Sequence, residues 1–267
     1  VALHQPSAFY GVNSLPLGTG ALDTQGPNAG MFELASGAEV VGYFDTVLRQ
    51  KLLASGRVQF LPMTEHLGGN QLRSVLTGES FEITVRRRIV DARYYAPGIP
   101  ALHRRKFEVA PDARVVHPRQ LAQLGLEPGG VPRHYAVLGA GKTAMDVATW
   151  LLDGGVPADR ITWVMPRDSW LINRRTTQPS MDFFHDTIGG QAALMQACAE
   201  AQSADDLFLR LEQAGFMLRI DREVMPRMFH FATISQGEVD LLRRIRDVVR
   251  MGHVQAVEPG ALRLAGG

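Results

Sequence analysis

"HYAVLGAGKTAMDVATW", His134 to Trp150, decides how this chain is read. Tyr135 to Leu138 is an apolar run that stops at Gly139, and a helical pattern of apolar residues opens at about Lys142. That order predicts a strand over 134–138, a tight glycine turn, a helix over about 142–153 and a second strand at Ile161 to Met165. The spacing fits the G-x-G-x-x-A fingerprint of a dinucleotide site. Gly139 makes the tight turn, Gly141 lets the backbone approach a pyrophosphate, and Ala144 permits close packing of helix on strand. The backbone N–H groups across Ala140, Gly141, Lys142 and Thr143 would then face the diphosphate. A phosphate-cradling Walker loop competes for the same residues, since Gly141-Lys142-Thr143 matches its end. Its first glycine would fall at Ala136, inside the strand, so the loop lacks the length to wrap a phosphate chain. A glycine turn with a purely structural role is the remaining alternative.

The end of the second strand, "TWVMPRDSW", bears on which dinucleotide is bound. The residue at its carboxyl end meets the adenosine ribose. Asp159 has the usual sequence spacing but precedes the strand. Arg167 stands at the correct end and suits a 2′-phosphate, because charge-assisted hydrogen bonds contribute roughly 1.5–3 kcal/mol, about a 10- to 100-fold preference. NADP is therefore expected over NAD. Asp168 beside it could instead accept from a free ribose hydroxyl and reverse that preference. Arg174 and Arg175 are further phosphate candidates, or simply an exposed pair.

Composition sets the outer limits. At 267 residues and 45% hydrophobic content the chain can build a packed core. The net charge is +1, and the basic triplets Arg86-Arg87-Arg88 and Arg104-Arg105-Lys106 are separated by ordinary sequence, so no nucleic-acid partner is expected. The single cysteine, Cys198, excludes an internal disulfide and reads as a buried structural thiol on an apolar helix face. No apolar run approaches the ~18 residues of a membrane span. The chain starts "VALHQPSAFYG", without Met or a signal-peptide pattern. A cytoplasmic protein, an internal start and no membrane partner are the expectations, while substrate and oligomeric state are left open.

Along the chain, residues 1–35 are rich in Gly, Pro, Ser and Asn and read as a long ordered loop. A helical stripe at Val40, Val41, Phe44, Val47, Leu48 and Leu52 ends at Gly56, and "RVQFLPM" (57–63) reads as a short strand. An antiparallel excursion follows, with strands near Leu72 to Leu76 and Phe81 to Val85. After the dinucleotide unit, Ser180 to Ala214 is mostly helical, Gly237 to Arg250 reads as another helix, and "HVQAVEPGALRL" as a final hairpin. Polar groups on the first loop, His4, Gln5, Ser7 and Tyr10, are candidates for the edge of a flavin or substrate site. The remaining histidines lack metal-ligand spacing, and there is no G-x-S-x-G elbow, so no metal and no catalytic side chain is assigned.

At Gly139, Gly141, Thr143, Ala144 and Asp146 the chain resembles the flavoproteins with two dinucleotide-binding domains, particularly the flavin-containing monooxygenase and N-hydroxylase type. In that family a G-x-G-x-S-[GA]-x-[DE] turn binds NADP in a domain inserted within a FAD domain; here Thr stands for Ser. The resemblance implies an α/β fold with a partial FAD-type domain over 1–130, a Rossmann-like NAD(P)-binding domain over 131–233 and a return segment over 234–267. It implies FAD in the intact protein and a chain that is an internal piece. Two family features differ: "IVDARYYAPGIP" stands where the family has a strand ending Ala-Thr-Gly, and Phe107 and His117 are the remnants of the monooxygenase signature. The activity implied is hydride transfer from NADPH to flavin and on to oxygen or another acceptor, with the cofactors carrying the chemistry. The alternative of a different class is a protein that binds or senses NADP(H) without turnover.

Overall fold

The computed structural model describes residues 2–92, 105–126 and 130–266, and shows a mixed α/β protein. Most of "IVDARYYAPGIP" and Arg104 lie outside the described residues. The described strands form four three-stranded sheets, none closed into a barrel. The chain divides into two compact units, Val41–Arg104 and a larger one made of Val1–Val40 with Arg105–Gly267. The N-terminal loop therefore belongs to the unit that holds the glycine turn.

Helix α1 (Gly37–Thr46) begins in the larger unit with a reciprocal cap, and its residues from Val41 on belong to the smaller one. The Ser36 N–H donates to Glu39 Oε2 at 2.7 Å, and the Glu39 N–H to Ser36 Oγ at 3.3 Å. The helix widens into a π-helical stretch over Val47–Leu52 and ends at Gly56, whose φ of 68° suits glycine. Tyr43 and Val47, one turn apart, are the buried residues, whereas Val41 and Phe44 of the expected stripe are exposed. Residues 57–63 are exposed and form no strand, against expectation: Pro62 has no N–H for a ladder, and Met63 has a φ of 51°. The antiparallel excursion begins just after, as β1 (Thr64–Gly68), β2 (Gln71–Ser74) and β3 (Ser80–Glu82) in that spatial order.

In the larger unit the expected strand, turn, helix and strand are present. They are β5 (Tyr135–Leu138), α2 (Lys142–Asp153) and β6 (Ile161–Val164), with β4 (Glu108–Val109) upstream. β5 and β6 pair in parallel with Tyr135 opposite Ile161 and Leu138 opposite Val164. Helix α2 buries Ala144, Met145, Ala148, Leu151 and Leu152, the 3.6-residue stripe that packs a helix onto a sheet. Trp163 and Ile161 on β6 are fully buried in the same core. Each such large side chain contributes roughly 1.5–3 kcal/mol through burial.

β7 (Ser169–Asn173), α3 (Phe184–Glu200), α4 (Ala204–Gln213), β8 (Met217–Leu218), β9 (Met228–Ile234) and α5 (Gln236–Leu242) follow. The segment 237–250, expected as one helix, is helical only to Leu242. Val248–Val249 is instead β10, which adds in parallel to β6 and completes the sheet order β10-β6-β5. The two adjacent β-branched residues fit a pleated edge better than a helix. β7 lies between β8 and β9, while the hairpin β11 (Val254–Glu258) and β12 (Ala261–Leu264) takes β4 alongside it. Cys198 is exposed rather than buried, because the buried positions of α3 are Gly190 and its neighbour Ala197, the latter about 100° around the helix from it. Among the described residues no helix is long and apolar enough to cross a membrane.

The N-terminal loop is pinned along this unit. Ser7 Oγ donates to Glu33 O at 2.9 Å and accepts from the Ala35 N–H at 2.8 Å, closing the loop on itself. The Phe32 N–H donates to Gln178 Oε1 at 2.9 Å, and Ser235 Oγ to Pro27 O at 2.6 Å. Pro27 runs so close to α5 that a Cβ on Gly237 would stand 2.5 Å from its carbonyl oxygen. Gly237→Ala is expected to destabilise the protein by about 1–3 kcal/mol through overpacking. Gly189→Ala, in α3 with open space around it, should stabilise by about 1 kcal/mol. Urea unfolding of both variants checks this; stabilisation by both would contradict the docking of Pro27 on α5.

Candidate functional site

The glycine turn owes its shape to one backbone requirement and one tryptophan. Gly139 has a φ of 123°, a conformation closed to other residues without strain. Its N–H donates to Val164 O at 2.9 Å, and its carbonyl accepts from Trp163 Nε1 at 2.8 Å, so β6 grips both sides of the turn. A Cβ on Gly139 would lie 3.8 Å from Ala144 Cβ, an ordinary van der Waals contact. Gly141 is the N-cap of α2, exposed, with open space where a Cβ would be and no side-chain cap. The N–H groups of Lys142 and Thr143 have no intrahelical acceptor and remain with that of Gly141 at the positive end of the helix.

A cavity of about 360 Å³ opens at this turn, lined by Ala140, Gly141, Lys142, Ser169 and the β9 residues His230 to Thr233. The N-terminal loop supplies its remaining wall, His4, Gln5 and Tyr10. The fold thus brings the two groups of sequence candidates, the first loop and the glycine turn, to one place. Ser7 is the exception, being buried in the loop itself.

Beneath the cavity lies a network of charges. His4 Nε2 hydrogen-bonds to Asp146 Oδ2 at 2.9 Å. Lys142 Nζ bonds to Asp146 and, at 3.2 Å, to Glu238 Oε1, so its ammonium group faces α5 and its own helix. Arg174 is 1% exposed and makes an ion pair with Glu238 Oε2 at 2.7 Å. Its other nitrogens donate to His4 O and Asn28 Oδ1, each at 3.0 Å. Arg174 is therefore corrected from phosphate reader to buried structural cation: its donors are used and solvent does not reach it. Burial raises the Asp146 carboxyl pKa, but the His4 hydrogen bond and the Lys142 charge outweigh it and hold the group below its ordinary value. Glu238 is lowered in the same way, with burial outweighed by the Lys142 and Arg174 charges and the Ser235 N–H.

At the end of β6 the two neighbours separate in role. Arg167 is exposed and engaged in no hydrogen bond or ion pair among the described residues. Asp168 is buried, its carboxylate held by Arg250 through contacts of 2.8 and 3.1 Å. A carboxylate so fixed serves the fold and is poorly placed to turn toward a ribose. Arg175 pairs with Asp186 at 2.9 Å. His117, which does not line the cavity, has both ring nitrogens buried without a hydrogen-bond partner among the described residues. Sequence reasoning missed Glu238 and the cavity residues of β9. The S-x-x-E spacing of Ser235 and Glu238 was a readable cap, and the structure contains that capping box. Nothing local announced the ion pairs beyond it.

No family model matches the chain, and no solved structure does. Proteins described as uncharacterized in Mycobacterium bovis and in two strains of Mycobacterium tuberculosis are 49% identical to it over all 267 residues. The chain spans about half, 49%, of the length of these relatives.

Removing one partner of a buried, hydrogen-bonded ion pair costs about 3–5 kcal/mol, so Arg174→Gln should lose that much stability in urea unfolding at pH 7. The folded-state carboxyl pKa values of Asp146 and Glu238 are lowered, so their contribution is complete above the unfolded values near pH 4. It disappears as pH falls through the lower folded values. The gap in melting temperature between wild type and Glu238→Gln should therefore narrow as pH drops from about 5 toward 2. A constant gap would contradict an ionised Glu238 in the network.

Proposed function

We propose that this chain is the NADP-binding part of a flavin-dependent NAD(P)H oxidoreductase, with β5, α2 and β6 as a Rossmann-like dinucleotide unit. One observation carries the reading: Gly139 at a φ of 123° delivers an exposed helix start, with Gly141 free of a side chain, to the mouth of a cavity. A Cβ on Gly141 would occupy the space through which a diphosphate approaches the N–H groups. The spatial order β10-β6-β5 supports the same reading, since it is the 3-2-1 half of the doubly wound pattern. The segment from β7 to α5 is then an insertion between its second and third strands.

In this reading the backbone of Gly141, Lys142 and Thr143 holds the diphosphate, and Arg167 pairs with the 2′-phosphate at the end of β6. Asp168, tied to Arg250, leaves that position to the arginine. The Lys142 side chain positions the helix start and does not itself bind phosphate. NADPH bound there supplies a hydride. His4, Gln5 and Tyr10 provide a polar wall for the reacting end, whereas among the described residues of the first loop the helical segment is the three-residue turn Ser7–Phe9, too short to hold a flavin diphosphate. Flavin is thus an expectation drawn from the family resemblance, and no step is derived through it.

Calorimetric titration with NADPH and NADH tests the assignment. NADPH should bind about 10- to 100-fold more tightly, and Arg167→Ala should abolish the difference while leaving NADH affinity unchanged. Equal affinities for the wild type, or a preference that survives in Arg167→Ala, would overturn Arg167 as the phosphate reader.

A further inference from the structure

The wall of the cavity formed by β9 has an unusual construction. β9 pairs with β7 in parallel, Trp170 opposite Phe229 and Ile172 opposite Thr233, so two residues along β7 answer four along β9. The surplus forms a bulge over His230, Phe231 and Ala232, and all three line the cavity. Phe231 sits at its crest with a φ of 55°, a left-handed conformation in which a bulky residue is an outlier. It is also 74% exposed, so packing does not repay that strain.

Phe231 ends a line of aromatic rings that rises out of the core. Trp170 stacks on Phe208 with centroids 5.4 Å apart and planes 7° from parallel. Phe208 meets Phe229 edge-on at 5.4 Å, and Phe229 meets Phe231 at 4.4 Å. The inner rings pack with Ala197, Leu211, Phe216 and Met217 in a hydrophobic cluster of their own, while Phe231 lines the cavity. An exposed ring at the open end of such a line favours a further planar ring, face to face or edge to face.

We infer that Phe231 is a stacking platform for a planar heterocycle at one end of the bound dinucleotide. The inference rests on the dinucleotide reading and extends it to a recognition residue on β9. The volume of about 360 Å³ lies near the lower end of the range for small-molecule sites and suits one end of such a ligand. Gln5, which lines the same cavity, is fixed by donating to Thr233 Oγ1 at 3.2 Å and accepting from Thr177 Oγ1 at 2.7 Å.

The test is the pair Phe231→Gly and Phe231→Trp, titrated with NADPH, with 2′,5′-ADP for the adenine end and with nicotinamide mononucleotide for the other. Glycine relieves the backbone strain, so Phe231→Gly should unfold no earlier than wild type yet bind NADPH roughly 5- to 100-fold more weakly. Phe231→Trp should retain the affinity. A loss that appears with 2′,5′-ADP identifies adenine as the stacked ring, and a loss with nicotinamide mononucleotide identifies the nicotinamide; either supports the platform. Unchanged NADPH affinity in Phe231→Gly would overturn the platform and leave the dinucleotide reading standing. A wild-type protein that binds none of the three probes would overturn both.

Discussion

The ion pair between Arg174 and Glu238, buried at 1% and 10% side-chain exposure, is the contact on which the candidate site depends. Arg174 holds the N-terminal loop through His4 O and Asn28, and Glu238 holds the start of α2 through Lys142. Glu238 also caps its own helix with Ser235, whose hydroxyl reaches Pro27 in the same loop. A buried pair of this kind adds little net stability against apolar replacements, because desolvation cancels most of the attraction. Its effect is positional: loop, turn and α5 fit together in one arrangement, and the cavity opens where the loop and the turn meet β9.

The network also decides which charges a ligand would meet. Lys142 and Arg174, two of the cations near the turn, are neutralised internally by Asp146 and Glu238. An anion at the helix start would be held by backbone N–H groups and the helix dipole instead of by an ammonium group. Arg167 stays outside this pairing, where a charge can discriminate between two ligands. Under the proposed reading, stability and recognition fall to different basic residues, although all of them look alike in composition.

What could be read from the sequence was what neighbouring residues determine. The limits of α2, 142–153, followed from a glycine requirement and a helical stripe within twenty consecutive residues. The parallel partner β6 and the final hairpin were legible for the same reason. The failures were long-range. Arg174 looks like half of an exposed pair, and only the fold brings it to Asn28 and Glu238. Val248 and Val249 were absorbed into a helix because their partner strand ends more than eighty residues earlier. "RVQFLPM" has strand-forming residues but no partner strand, and it is exposed. The first loop was legible as a candidate edge because its polar residues were conspicuous. The left-handed Phe231 had no signal at all, since a bulge appears only when two strands are set side by side.

The central claim is that the exposed N-terminus of α2 receives a diphosphate, and the backbone amides of Gly141, Lys142 and Thr143 report it most directly. Their nitrogen and proton resonances can be followed during titration with NADP⁺ and, separately, with inorganic pyrophosphate. The proposed site predicts saturable shifts centred on these three amides with both ligands, larger and tighter with NADP⁺. Shifts that leave the three unmoved, or that centre on surface arginines, would contradict it.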